Sequence, residues 1–240
     1  PRTLRNGIQE WKIRFTASIP ERLNLDLYIR GINGSPFIRF KYQLSSPEPA
    51  KLTKDCGQDT LRYFQITNAD QVLQSAPDQK LTQIQLGHFN PAVHCYEPLE
   101  HTYQWDELYN GQYLTGPIVV IHNENQSLLL AYEHGADQPN AFLKFTLNQH
   151  TTAINCIAHS GNYYKNYPLN TGQGFESVWF ELGLIAGSYN QLLPLYRQFL
   201  LNEICANNES RKPYIFYNTW NYHERNRNYN NRPYLESMNL

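Results

Sequence analysis

Apolar and polar residues alternate over the opening stretch of the chain. From Trp11 to Ile19 the odd positions Trp11, Ile13, Phe15, Ala17 and Ile19 are apolar, and Lys12, Arg14, Thr16 and Ser18 between them are polar. Leu23, Leu25, Leu27 and Ile29 repeat the pattern against Asn24, Asp26, Tyr28 and Arg30, and Ile38, Phe40, Tyr42 and Leu44 repeat it against Arg39, Lys41 and Gln43. A period of two predicts strands with one face in a core and the other in water. Gly31-Ile32-Asn33-Gly34-Ser35-Pro36 supplies the turn between the second and third of them. Further strands are expected at 61–66, 81–86, 118–121, 128–132, 141–147, 152–158 and 175–182. Ile118-Val119-Val120-Ile121 is apolar on both faces, so it is expected to be a central strand covered from both sides. About ten strands with turn signals between them predict a large antiparallel sandwich. The segments 88–116 and 161–168, rich in aromatics and with prolines, read as long loops.

The period changes after Gly187. Leu192, Leu195, Tyr196, Phe199, Leu200 and Ile204 fall on one helical stripe. Pro194 suits only a first helical turn, which places the helix start near 190–193. A polar linker, 205–213, follows. Tyr214-Ile215-Phe216-Tyr217-Asn218-Thr219-Trp220 then reads as a strand, 221–232 as a polar loop, and the residues from Pro233 as the opening of a helix. Strand, loop, helix is the first unit of a βα repeat, and a parallel strand needs neighbours reached by crossovers. The pattern predicts a sandwich over 1–187, a connecting helix and linker over 188–212, and a βα repeat that begins in 213–240 and continues past Leu240.

Charge narrows the possible partners. Lys and Arg total 20 and Asp and Glu 21, a formal net charge of −1, with no electrostatic footprint for nucleic acid or an anionic membrane. No apolar run approaches the roughly 18–20 residues of a membrane helix. Pro1-Arg2-Thr3-Leu4 has neither a starting Met nor a signal-peptide core, which reads as a processed or cropped piece and leaves the compartment open. Cys56, Cys95, Cys156 and Cys205 are widely spaced, which predicts free thiols, mostly buried. His88, His94, Cys95 and His101 match no compact zinc spacing, so no metal is expected. The 18 tyrosines, with many Asn and Gln, suit stacking on sugar rings and pairing with hydroxyls, although Tyr also suits strands.

Two segments carry a resemblance to a known family. One is Gly116-Pro117-Ile118-Val119-Val120-Ile121-His122-Asn123-Glu124-Asn125-Gln126-Ser127-Leu128-Leu129-Leu130-Ala131-Tyr132-Glu133-His134-Gly135; the other is Lys212-Pro213-Tyr214-Ile215-Phe216-Tyr217-Asn218-Thr219-Trp220-Asn221. The first resembles the paired strands in the front sandwich of glycoside hydrolase family 36, the melibiase-type α-galactosidases. The second is similar to that family's asparagine-and-tryptophan signature on the first barrel strand. Where the commoner family form has Glu after the Trp, this chain has Asn221, and Tyr222-His223-Glu224-Arg225-Asn226 also departs from the common loop.

The resemblance implies a mainly β, galactose mutarotase-like supersandwich, a linker helix and the start of a (β/α)8 barrel. It also implies a retaining enzyme acting on terminal α-linked galactose, without a cofactor. Retention needs two carboxylates roughly 5 Å apart; both are implied to lie beyond Leu240, so no catalytic residue is expected here. Trp220 would stack on the substrate ring, with Asn218 or Asn221 holding a hydroxyl and Tyr222, His223 and Glu224 at the mouth. Trp105 could be lent by the front domain to a barrel site, and a homo-oligomer is a further implication. Two alternatives stay open: a free-standing lectin-like sandwich, and a mutarotase-like epimerase using His122, Glu124, Glu133 and His134. A hairpin joining 118–121 to 128–132 would put His122 and Glu124 at its turn and Glu133 and His134 at the other end.

Overall fold

A computed structural model of the chain describes residues 1–17, 22–52, 61–67, 78–133, 143–148, 153–158, 166–170, 174–205, 207, 209 and 212–213. The chain divides into two compact units, Pro1–Ile204 and Cys205–Leu240. In the second unit Lys212 pairs with Glu209 at 2.7 Å.

The first unit is a β-sandwich. Its strands are β1 (Arg2–Thr3), β2 (Gln9–Ala17), β3 (Leu23–Gly31), β4 (Phe37–Ser45), β5 (Lys51–Leu52), β6 (Leu61–Ile66), β7 (Lys80–Asn90) and β8 (Cys95–Gln104). They continue with β9 (Tyr113–Leu114), β10 (Ile118–His122), β11 (Ser127–Tyr132), β12 (Leu143–Asn148), β13 (Ala153–Ala158), β14 (Tyr167–Pro168), β15 (Phe175–Glu176) and β16 (Phe180–Ile185). The helix α1 (Tyr189–Phe199) follows, and Leu200–Ile204 extends it as a π-turn. The large sheet runs β1-β2-β3-β4-β16-β11-β10-β7-β8, with β15 also paired to β4. The second sheet runs β6-β13-β12-β9, and β14 with β5 forms a short ribbon. Every described pairing is antiparallel.

The expected central strand is central. β10 lies between β7 and β11, with Val119 and Ile121 in the core between the sheets and Val120 in a second core on the outer face. The first core gathers Phe145, Leu143, Leu147, Phe175, Phe180 and Leu130, all essentially inaccessible. The second lies under α1, where Leu192, Tyr196 and Phe199 cover Phe37, Val120, Leu129 and Ala131. Gly183 leaves room for the Phe37 ring, because a Cβ there would lie 2.2 Å from Phe37 Cδ1.

Four expectations change. The segment 88–116 is not one long loop: β7 and β8 form a long hairpin, followed by a short helical turn at Trp105–Glu107. Pro98 hid the strand, yet it is tolerated on the outermost strand, at the register shift between Gln85 and His88. The helix begins at Tyr189, one residue ahead of the expected 190–193, so that Pro194 falls beyond the first turn. Ser188 caps it in a capping box with Gln191, whose side chain accepts from the Ser188 N–H at 2.9 Å, and Pro194 sits in the second turn. The apolar row of β2 is not buried: Trp11, Ile13 and Phe15 are 40–53% exposed, because β2 lies toward the rim of the large sheet. Its neighbour Glu10, on the supposedly wet face, is buried by two arginines. Cys95, finally, is exposed near the hairpin end rather than buried, while Cys156 is buried and Cys205 half-buried, all as free thiols.

Candidate functional site

The outer face of the large sheet carries an ordered row of charges. Glu10 accepts from Arg2 and Arg30 at 2.6 Å each. Asp26 accepts from Arg14 at 2.6 and 2.7 Å and pairs with Lys12 at 3.0 Å. These are cross-strand neighbours, since β2 and β3 place Arg14 opposite Asp26 and Glu10 opposite Arg30. The Arg14 guanidinium, helped by Lys12 and opposed by burial, holds the Asp26 carboxyl down at about 2. Lys41 pairs with Glu176. Trp179 lies beneath three cations, with Arg30 at 4.3 Å, Arg39 at 4.9 Å and Lys41 at 5.1 Å from its ring.

Toward the sheet centre the row becomes buried and acidic. Arg39 forks onto Glu133 at 2.6 and 2.7 Å, using Nε and one terminal nitrogen. Glu181, on β16, points to the same face and is 3% exposed. The Tyr196 hydroxyl of α1 donates to its Oε2 at 2.5 Å. Burial pushes the Glu181 carboxyl up to about 7; the Glu133 charge adds to this, while Tyr196 and Arg39 oppose it. A groove of about 500 Å³ opens beside the two acids, walled by Leu86, Pro117, Ile118, Leu200 and Ile204. The arrangement is suited to holding a proton near neutrality under the helix. The sequence signal for it is one acid in an otherwise apolar strand, Phe180-Glu181-Leu182-Gly183-Leu184-Ile185, and it was missed.

His122 occupies a different place, at the turn end of β10. Its ring stacks on Tyr189 with centroids 4.9 Å apart, and Nε2 lies 2.9 Å from Thr82 Oγ1. Burial, with Lys80 nearby, lowers the His122 pKa, so the ring favours its neutral form. His122 faces Ser127 across the hairpin, whereas Glu133 follows the far end of β11. The structure therefore does not bring His122 and Glu124 together with Glu133, and His134 lies outside the described residues.

Trp105 is half-buried at the start of its helical turn and packs against the main core. The Gln104 N–H donates to Glu107 at 2.9 Å and fixes that turn. Asn218, Trp220, Asn221, Tyr222, His223 and Glu224 lie outside the described residues. Among the described residues no three His, Cys, Asp or Glu side chains converge as metal ligands.

No protein-family model matches the sequence, and no curated protein matches it. Solved structures do match. A variant of the GH36 α-galactosidase AgaA from Geobacillus stearothermophilus, in complex with raffinose, aligns over 80% of this chain and 26% of its own, at 10% identity and TM-score 0.52. The α-galactosidase from Lactobacillus brevis aligns over 82% and 26%, at 13% identity and TM-score 0.53. The galactosidase domain of the α-galactosidase-sucrose kinase AgaSK aligns over 89% and 30%, at 11% identity and TM-score 0.56. The fold is thus similar to the N-terminal β-sandwich domain of GH36 α-galactosidases, as the resemblance implied. This chain spans between a quarter and a third of the length of each of these relatives.

Proposed function

We propose that this chain is the non-catalytic front part of a retaining α-galactosidase-like glycoside hydrolase. The observation that carries the reading is the shared fold over 80–89% of the chain with enzymes about three times as long. The geometry of the described sandwich agrees with a supporting role. Its most perturbed carboxyl, Glu181, is 3% exposed and engaged by the Tyr196 hydroxyl, and its most buried His, His122, has no carboxylate among the hydrogen-bond partners described. A retaining pair needs two carboxyls facing each other across a sugar, open to substrate. In this reading 213–240 starts the catalytic barrel, Trp220 stacks on a terminal α-galactosyl ring, and Asn218 and Asn221 bind its hydroxyls. Tyr222, His223 and Glu224 line the mouth, and the catalytic carboxylates belong to later barrel strands. The partner is an α-galactoside; no cofactor takes part.

The test compares this chain with a polypeptide extended through a downstream barrel, both assayed on an aryl α-galactoside. The chain alone is expected to be inert, and the extended form to release the aryl group with retained anomeric configuration. Turnover by the short chain would overturn the non-catalytic assignment. Silence from a folded extended form would overturn the galactosidase assignment and leave the fold standing.

A further inference from the structure

We propose that the acids buried beneath α1 form a proton-operated latch, closed when Glu181 is neutral, that sets how tightly the helix holds to the sandwich. The proposal concerns the described body alone and stands independently of the proposed function.

One guanidinium, Arg39, hydrogen-bonds Glu133 and acts electrostatically on Glu181 and Glu203. Glu133 follows β11, Glu181 lies on β16, and Glu203 comes from the π-turn that extends α1. Arg39 of β4 is the cation that faces them, and its fork is committed to Glu133. Glu181 accepts a hydrogen bond from the Tyr196 hydroxyl. Glu203 is 4% exposed; Ser35 lies beside it, and its Oε2 has no hydrogen-bond partner. Arg30 and Lys41, the other cations of this face, lie over Trp179 and pair with Glu10 and Glu176. Ionised Glu133 already matches Arg39. A second negative charge at Glu181 would be buried without a counter-ion, a costly state that the fold relieves by keeping the proton or by lifting the helix.

The sign follows from linkage. In the docked state burial raises the Glu181 pKa to about 7, whereas with the helix lifted it returns toward 4.5. Docking is then strongest below the lower value, weakens as pH rises between the two, and levels off above the upper. Within that window the opening equilibrium rises by up to roughly tenfold per pH unit. Glu203, whose pKa burial also raises, pushes in the same direction.

Amide hydrogen exchange on the 240-residue chain between pH 5 and 8 tests this, after correction for intrinsic exchange, with β10 and β11 amides as internal reference. The α1 amides are expected to lose protection relative to the reference as pH rises. E181Q keeps an acceptor for Tyr196 but carries no charge, and should abolish the slope. A constant ratio in the wild type, or an unchanged slope in E181Q, would overturn the latch. Infrared difference spectra offer a readout that survives a poorly folded variant. The wild type at pH 6 should show the carbonyl stretch of a buried protonated carboxyl that disappears by pH 8, and its absence at pH 6 would also overturn the proposal.

Discussion

β11 and β2 belong to the same sheet and have nearly opposite surroundings. β11, Ser-Leu-Leu-Leu-Ala-Tyr, shows no clean alternation, yet every residue in it is buried. β2 alternates strictly, yet most of it is exposed. The difference lies in what stands on either side. β11 has the second sheet on one face and α1 on the other, so both sets of side chains find apolar partners. β2 runs near the rim, where its apolar row stays largely exposed and its polar row is tied into ion pairs. Alternation reports that a strand can pack on one side; continuous apolarity reports that it must pack on both.

The largest expected effect is at the centre. Leu130 is 1% exposed and lies within the main core. Leu130→Ala removes its buried methyl groups and leaves a cavity, at a cost of about 2–5 kcal/mol. Urea denaturation should show a clear fall in midpoint with little change in slope. A change below about 1 kcal/mol would mean that the centre repacks freely and that the contrast with β2 is not one of packing.

The same contrast explains what could be read from the residues alone. The helical stripe of α1 and the strands β2 to β4 were legible because each rests on a local period, and the central position of β10 because its run is apolar on both faces. The β7–β8 hairpin was not, because Pro98 reads as a breaker until its place on an outermost strand is known. The burial of Glu10 and Glu181 was invisible for a related reason. A lone acid in a strand reads as solvated, and its partners, Arg2 and Arg30 in one case and Tyr196 in the other, come from other elements. Residues 218–224 were proposed as site residues from a motif, which carries no geometry of its own.

A smaller effect is expected from the ion pairs beside the rim. Asp26 has its folded pKa lowered to about 2 from 3.8, so its contribution is present above the higher value and is lost as pH falls through the lower. Arg14 and Lys12, its partners, are largely exposed, and solvent screening reduces the contribution to about 1 kcal/mol or less. Thermal melts between pH 5 and 2 should show a steeper loss in the wild type than in Asp26→Asn. Parallel curves would mean that the pair adds nothing to stability and that the polar face of β2 is held by backbone pairing alone.

The smallest effect is expected at Phe15, the most exposed of the three apolar side chains on β2 at 53%. Burial free energy scales with the area removed from water. A ring that keeps half of its surface wet has correspondingly less to lose, and no tight cavity is left when it is removed. Phe15→Ala should therefore shift stability by about 0.5–1 kcal/mol, well below Leu130→Ala in the same urea measurement. The comparison is informative because both residues are apolar members of strands in one sheet, and only their cover differs. A loss at Phe15 equal to that at Leu130 would show that the β2 row is covered in solution, and the distinction between rim and centre would fail.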